Sequence, residues 1–182
     1  MEILHASGIL AGAGVVALCA RSGTGKSTIA THLQQRGYGV WADDAVMWTS
    51  SEAGAITFPF PFRPGAGKAA SHAAGESAGS VPRTLKAIFV LERIEQLAGD
   101  DDGVIGLVSG ASALTSVLPH AHFSPCDERR RRDFVTRYVH LAATIPVVHV
   151  RFRHDVGKIG ALCDTFERLL DGIDSGGRTA LR

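Results

Sequence analysis

Ala20-Arg21-Ser22-Gly23-Thr24-Gly25-Lys26-Ser27-Thr28 is the stretch on which the fold turns. It follows an apolar run, Val15-Val16-Ala17-Leu18, and precedes a segment of helical character from Ile29 to Arg36. A strand, a glycine-rich turn, Lys-Ser and a helix form the context in which a P-loop pattern means phosphate binding. Gly23 and Gly25 permit backbone geometry that a Cβ would obstruct, so consecutive N–H groups can converge on one concavity. The helix that starts there adds unpaired N–H groups and the positive end of its dipole. Ser22, Gly23, Thr24, Gly25, Lys26, Ser27 and Thr28 are therefore the candidate nucleotide-binding residues. In this pattern Lys26 reaches the outer phosphates and the Ser27 hydroxyl ligates Mg²⁺. Ala20 stands where the pattern has its first glycine. The competing reading, a glycine turn that binds nothing, is disfavoured by the strand and helix on either side.

Around this loop the composition is that of a globular protein. The chain has 182 residues, 45% hydrophobic and 20% charged, which suits a single domain over 1–182 with a sizeable core. A net charge of +1 provides no global field toward nucleic acid or a membrane surface. No apolar run approaches the ~20 residues of a membrane helix. Glu2 near the start and the lack of a basic-then-apolar leader argue against a signal peptide. Cys19, Cys126 and Cys163 are scattered, without paired metal spacing, and fit a reducing, cytoplasmic setting.

Glu2–His5 and Gly8–Leu10 read as short strands or a hairpin leading into the Val15–Leu18 strand. The helix after the loop should stop at Gly37. Val40-Trp41-Ala42 is a short strand ending in Asp43-Asp44, and Ala45–Trp48 could continue it. Lys86–Leu91 and Val104–Val108 are strand patterns, and Asp100-Asp101-Asp102-Gly103 between them reads as a solvated hairpin tip. Ser109–Leu118 and Asp127–Thr144 read as helices, the second with Phe134, Tyr138 and Leu141 on one face. Arg129 to Arg132 spread around that helix as a solvated face with internal ion pairs, and His120 and His122 read as a loop pair. A strand over Ile145–Phe152 and a helix over Gly157–Leu170 follow, with a frayed tail from Gly172 to Arg182. Strands alternating with helices around a P-loop give an α/β domain whose central sheet is flanked by helices.

Residues 49–82 stand apart, rich in Gly, Ala, Ser and Pro. A connection of that length in a compact domain is either a mobile surface loop or a functional flap. Phe58, Phe60 and Phe62 alternate with prolines, so on an extended segment their rings share a side. Phe60, Arg63 and Lys68 are the substrate-facing candidates.

The discriminating feature for chemistry is Asp43-Asp44 at the end of the strand after the P-loop. Two adjacent carboxylates there can divide two tasks: one holds Mg²⁺, and the other takes a proton from an attacking hydroxyl. Asp44 joins Ser27 as the candidate metal ligand. An acidic turn closing a strand is the plainer alternative. His5, on the strand expected to neighbour the P-loop strand, carries little weight by itself.

His5, Gly14–Ser27 and Arg36-Gly37-Tyr38-Gly39-Val40-Trp41-Ala42-Asp43-Asp44, in that order, resemble the catalytic domain of the HPr serine kinase/phosphorylase family. That family is P-loop based and related to phosphoenolpyruvate carboxykinase. The match covers roughly the first quarter of the chain closely and the Lys86–Arg93 and Ile145–Phe152 strands more loosely. The resemblance implies that Lys26 contacts the transferred phosphate, Ser27 binds Mg²⁺, and Asp43-Asp44 supplies the base, with His5 linked to it. Two departures stand out. The family's Glu-x-Arg-Gly signature after the Asp pair is absent, its place taken by Phe58-Pro59-Phe60-Pro61-Phe62-Arg63-Pro64-Gly65, and the late Pro-Gly-Arg-Asn-like segment is missing. Compact relatives lacking these features include kinases for ribosomally made precursor peptides of the lasso type.

The expectation is a kinase that uses ATP and Mg²⁺ and phosphorylates a serine of a peptide or small protein. A lasso-type precursor is the favoured acceptor, HPr the alternative, and a homo-oligomer compatible with the family. A nucleotide-dependent switch with slow hydrolysis and a small-molecule kinase are rivals from other classes.

Overall fold

Every residue of Gly14–Ala20, strand β3, is buried. Its side chains alternate between two separate cores. Val16, Leu18 and Ala20 belong to one, with Ile29 and Leu33 of helix α1 (Lys26–Gln35) and Leu162, Phe166 and Leu170 of helix α4 (Ile159–Asp174). Ala17 and Cys19 belong to the other, with Ala113 of α2 (Gly110–Val117) and Tyr138 and Leu141 of α3 (Glu128–Thr144). A strand covered on both faces must be apolar at consecutive positions, which is why 15–18 reads as a continuous run. The result is a sheet with helices on both faces. The computed structural model describes residues 1–52, 54–59, 81–94, 103–123, 127–153 and 159–174.

The remaining strands are β1 (Glu2–Leu4), β2 (Ala6–Ala11), β4 (Val40–Ala42), β5 (Val46–Ser51), β6 (Gly54–Phe58), β7 (Arg83–Arg93), β8 (Gly103–Val108) and β9 (Val147–Phe152). Among the described residues they form one nine-stranded sheet, β1-β5-β6-β7-β3-β2-β4, with β9 also on β7 and β8 on β9. The centre is parallel: β7 runs alongside β3 from Val16↔Ala87 to Ala20↔Leu91, and β9 alongside β7 from Ile88↔Val147 to Arg93↔Phe152.

Register places the site. β2 is antiparallel to β3 with Ala6 opposite Cys19, and β4 pairs with β2 with Ala42 opposite Gly8. The start of β2, the end of β3 and the end of β4 therefore meet at one end of the sheet. His5, the loop after Ala20, and Asp43-Asp44 are the residues that follow or precede those ends. This is the carboxyl end of the parallel strands, where open α/β sheets place their ligands.

Several expectations are corrected. β1 does not form a hairpin with β2; it pairs with β5, Leu4 opposite Val46. His5 lies at the bend between β1 and β2, because its N–H leaves the ladder to bond the His120 carbonyl at 2.7 Å. β5 does not continue β4, since Asp44 turns the chain with φ 65. Residues 49–51 and 54–58, placed within the flap, lie in the paired antiparallel strands β5 and β6, with Thr49 opposite Ile56 and Ser51 opposite Gly54. Small residues read as loop chemistry, but here the sheet satisfies their backbone groups, and buried Thr57 donates to the Arg83 carbonyl at 2.9 Å. β7 and β8 are not hairpin partners, because β9 lies between them. Helix α1 starts at Lys26, earlier than Ile29, and α4 runs past Leu170 to Asp174, taking in the first three residues of the tail expected to fray. The Asp100–Asp102 tip, Cys126 and residues 175–182 lie outside the described residues.

The α2/α3 core offers a test of packing. Trp48 and Tyr138 meet edge to face at 5.2 Å between centroids, and the Tyr138 hydroxyl donates to the Ile3 carbonyl at 2.9 Å. Burial holds the Tyr138 phenol well above its ordinary pKa. A phenol kept neutral in the fold but free to ionise when unfolded gives stability that is full below about pH 10 and declines as pH rises beyond it. At pH 8 Tyr138→Phe should lose the roughly 0.5–1.5 kcal/mol of one hydrogen bond. By pH 11 the gap to wild type should close by about 1.4 kcal/mol, because only wild type has that phenol to ionise on unfolding. Urea midpoints at the two pH values check this; a gap that stays constant would show that the ring is not held neutral.

Candidate functional site

The turn between β3 and α1 has the backbone that its glycines require. Gly23 and Gly25 have φ of 82° and 106°, and a Cβ built at either meets no atom within 4 Å. The space in front of the turn is thus open, and the glycines are needed for conformation, not for want of room. The Thr24 N–H closes the turn onto the Arg21 carbonyl at 3.2 Å. The first intrahelical bond of α1 runs from Ile29 N–H to the Gly25 carbonyl at 2.9 Å. No side chain caps this helix start. The N–H groups of Lys26, Ser27 and Thr28 accordingly have no acceptor within the helix. An oxyanion in front of the turn would satisfy them.

Lys26 is the centre of the polar cluster. Its side chain is 8% exposed, and its Nζ donates to Asp44 Oδ1 at 2.9 Å and to Ser7 Oγ at 3.4 Å. Ser7 Oγ in turn donates to Asp43 Oδ1 at 3.2 Å. His5 Nε2 lies 3.7 Å from Asp44 Oδ1. One connected chain therefore runs from Asp43 through Ser7 and Lys26 to Asp44 and His5. The Lys26 hydrogen bond and charge, with a smaller contribution from His5, hold the Asp44 carboxyl below its usual pKa. Asp44 remains a carboxylate at neutral pH and is 70% exposed, so it faces whatever enters. Its positive φ is tolerated by aspartate more readily than by most residues.

Below the cluster, burial pushes the Cys19 thiol up to about 12, against the opposing pull of Lys26. A thiol held protonated is no nucleophile, so Cys19 packs and does not react.

His5, Lys26, Asp43 and Asp44 are thus brought together, beside Ser22–Thr28. Phe60, Arg63 and Lys68 lie outside the described residues. Arg36, part of the Arg-Gly…Asp-Asp block, points elsewhere: it bonds Asp164 and Glu167 and the Gly160 carbonyl of α4, joining α1 to α4. Ser7 was not anticipated. Its signal was a hydroxyl in a strand otherwise apolar or small, and it is 0% exposed. His120, read as half of a loop pair, is buried beside the cluster at 6% exposure. Local sequence held no signal for that, since its neighbours come from β1 and the β3–α1 turn.

The donor set suits a hard cation. Ser27 and Asp44 are both exposed and carry oxygen donors of the kind Mg²⁺ takes while keeping several waters. Among the described residues no group of three or more His, Cys, Asp or Glu forms a metal cage. A cation here would be shared with a bound phosphate group. No helix among the described residues is long and apolar enough to cross a membrane.

No family model matches this chain. No curated protein matches it. Among solved structures, the HPr(Ser) kinase/phosphatase from Coxiella burnetii is similar, with a TM-score of 0.52 and 14% identity over 97% of this chain and 96% of that one. The likeness at that identity is one of fold.

Proposed function

We propose that this chain is a phosphotransferase that moves the γ-phosphate of Mg-ATP to a serine hydroxyl of a peptide or small protein. The observation that carries the reading is the linked cluster. A buried lysine at an uncapped helix start is tied to two adjacent carboxylates, one through Ser7 and one directly. A bare switch needs the lysine and one metal-binding carboxylate; the second, exposed carboxylate is what transfer to a hydroxyl uses. Mg²⁺ on the phosphates would neutralise charge as it develops.

In this scheme Asp43 accepts the serine proton as the serine Oγ–phosphorus bond forms and the bond from phosphorus to ADP breaks. Lys26 donates to the phosphoryl oxygens. Ser27 and Asp44 would hold the cation, and His5 orients Asp44.

The favoured acceptor is a ribosomal precursor peptide of the lasso type. The Glu-x-Arg-Gly block of HPr kinases has no counterpart in this sequence, which supports that choice. The fold likeness to an HPr(Ser) kinase/phosphatase supports the second reading, HPr as acceptor. Incubation with γ-labelled ATP, a panel of serine peptides including precursor C-termini, and HPr separates them. Label on a serine is expected. Label only as free phosphate would favour the switch, and label on a metabolite a small-molecule kinase.

A further inference from the structure

The bend at His5 is clasped by a distant segment. After the 3-10 turn Leu118–His120, the chain lies along β1: Leu4 bridges Ala121, the His5 N–H donates to the His120 carbonyl at 2.7 Å, and the His122 N–H donates to the Ile3 carbonyl at 2.9 Å. This pairing carries the His120 side chain to the site.

Three facts about that side chain are unusual together. It is 6% exposed. It makes no side-chain hydrogen bond among the described residues. Its electrostatic neighbours are His5, Arg21 and Lys26, all sources of positive charge. Burial first, then those neighbours, hold the ring below its ordinary pKa, so it is neutral near pH 7. A neutral imidazole has one N–H to donate and one nitrogen to accept. Neither ring nitrogen is among the fully buried side-chain atoms that lack a partner, so the ring keeps an edge open to solvent. An open edge that no protein group occupies can take a partner that arrives. The surroundings say what kind. Arg21 is exposed and forms no ion pair among the described residues, and Lys26 and His5 stand on the same cluster. An anion is the ligand such a neighbourhood attracts, and a neutral ring can serve it as a donor without adding a further charge to bury.

Resting on the phosphotransfer reading, we propose that His120 is a further ligand-binding residue of this site, its ring N–H donating to an oxygen of the nucleotide's phosphate groups. It acts on binding and is not a base.

The test uses the full chain, labelled with ¹⁵N, and follows the ring nitrogens as inorganic phosphate and then Mg-ATP are added. The His120 resonance is identified by its loss in His120→Asn. It is expected to move with both ligands. His120→Phe should raise the Mg-ATP Kd about tenfold or more, the effect of one hydrogen bond to a charged group. His120→Asn should recover part of that, because its amide can still donate. Should His120→Phe fail to fold, the ring shift in wild type and the affinity of His120→Asn decide. A resonance unmoved by saturating Mg-ATP, or wild-type affinity in a folded His120→Phe, overturns the proposal. The two readings fail separately. A ring that moves in a protein that labels no acceptor removes the kinase, not the site. Serine labelling with an unmoved ring does the reverse.

Discussion

Lys26→Ala should leave a folded protein that binds Mg-ATP far more weakly and transfers phosphate far more slowly. The lysine Nζ sits at the start of α1 with its side chain 8% exposed and donates to Asp44 and Ser7. A charge-assisted hydrogen bond to phosphate is worth about 1.5–3 kcal/mol, so affinity should fall about 10- to 100-fold. The rate should fall further, because the phosphoryl group gains charge on its outer oxygens as it moves; loss of one preorganised donor typically costs about 10²- to 10³-fold. Folding should survive. Removing Lys26 strands Asp44, but Asp44 is 70% exposed and water can solvate it. Ser7 keeps Asp43 as a partner. Lys26→Met, which keeps the apolar stem, should bind as poorly as Lys26→Ala while melting closer to wild type. Calorimetry with Mg-ATP, paired with thermal melts, checks this. Unchanged affinity in either folded variant would mean that the turn holds no phosphate.

Much of this site was legible because its signals are local. Gly23-Thr24-Gly25-Lys26-Ser27 dictates its own turn through backbone freedom and its own uncapped helix start, whatever surrounds it. Asp43-Asp44 was legible for a related reason: a short strand must end, and its last polar residues fall at the sheet edge. What was missed depends on pairing between distant segments. Ser7 looks like any small strand residue until β2 is aligned against β3 and β4, which brings its hydroxyl between Lys26 and Asp43. The sequence puts His5 on the strand beside β3, but it lies at the bend before that strand, β2, because the preceding β1 is claimed by β5. Residues 49–51 and 54–58 resembled a loop in composition, and only the pairing of β5 with β6 and of β6 with β7 gives their small side chains a reason to be extended. His120 carries no local mark at all. Its carbonyl is needed by His5, and its ring follows.

The aspartate pair carries the last expectation, and the geometry now distinguishes its members. Asp44 is bonded to Lys26 and approached by His5, and these groups depress its pKa. A carboxylate so held stays ionised and is a poor proton acceptor, so it suits the cation and the phosphate side. Asp43 is exposed and takes one neutral hydrogen bond, from Ser7, which orients it. On the proposed reading, Asp43 is then the base. A serine hydroxyl is a weak nucleophile near neutral pH, and a placed base contributes about 10²- to 10⁴-fold. Asp43→Asn should lose phosphotransfer by at least about 10² while keeping near-normal Mg-ATP affinity. Asp44→Asn should lose a comparable rate but also bind Mg-ATP more weakly, because the cation loses its charged ligand. His5→Ala should cost less than either. It should also move the acid limb of the pH–rate profile upward, since Asp44 loses one of the groups that keep it ionised. Single-turnover rates and nucleotide titrations on the same preparations separate these effects. If both Asp→Asn variants transfer phosphate to a confirmed acceptor at the wild-type rate, neither carboxylate is the base, and the cluster binds phosphate without performing this chemistry.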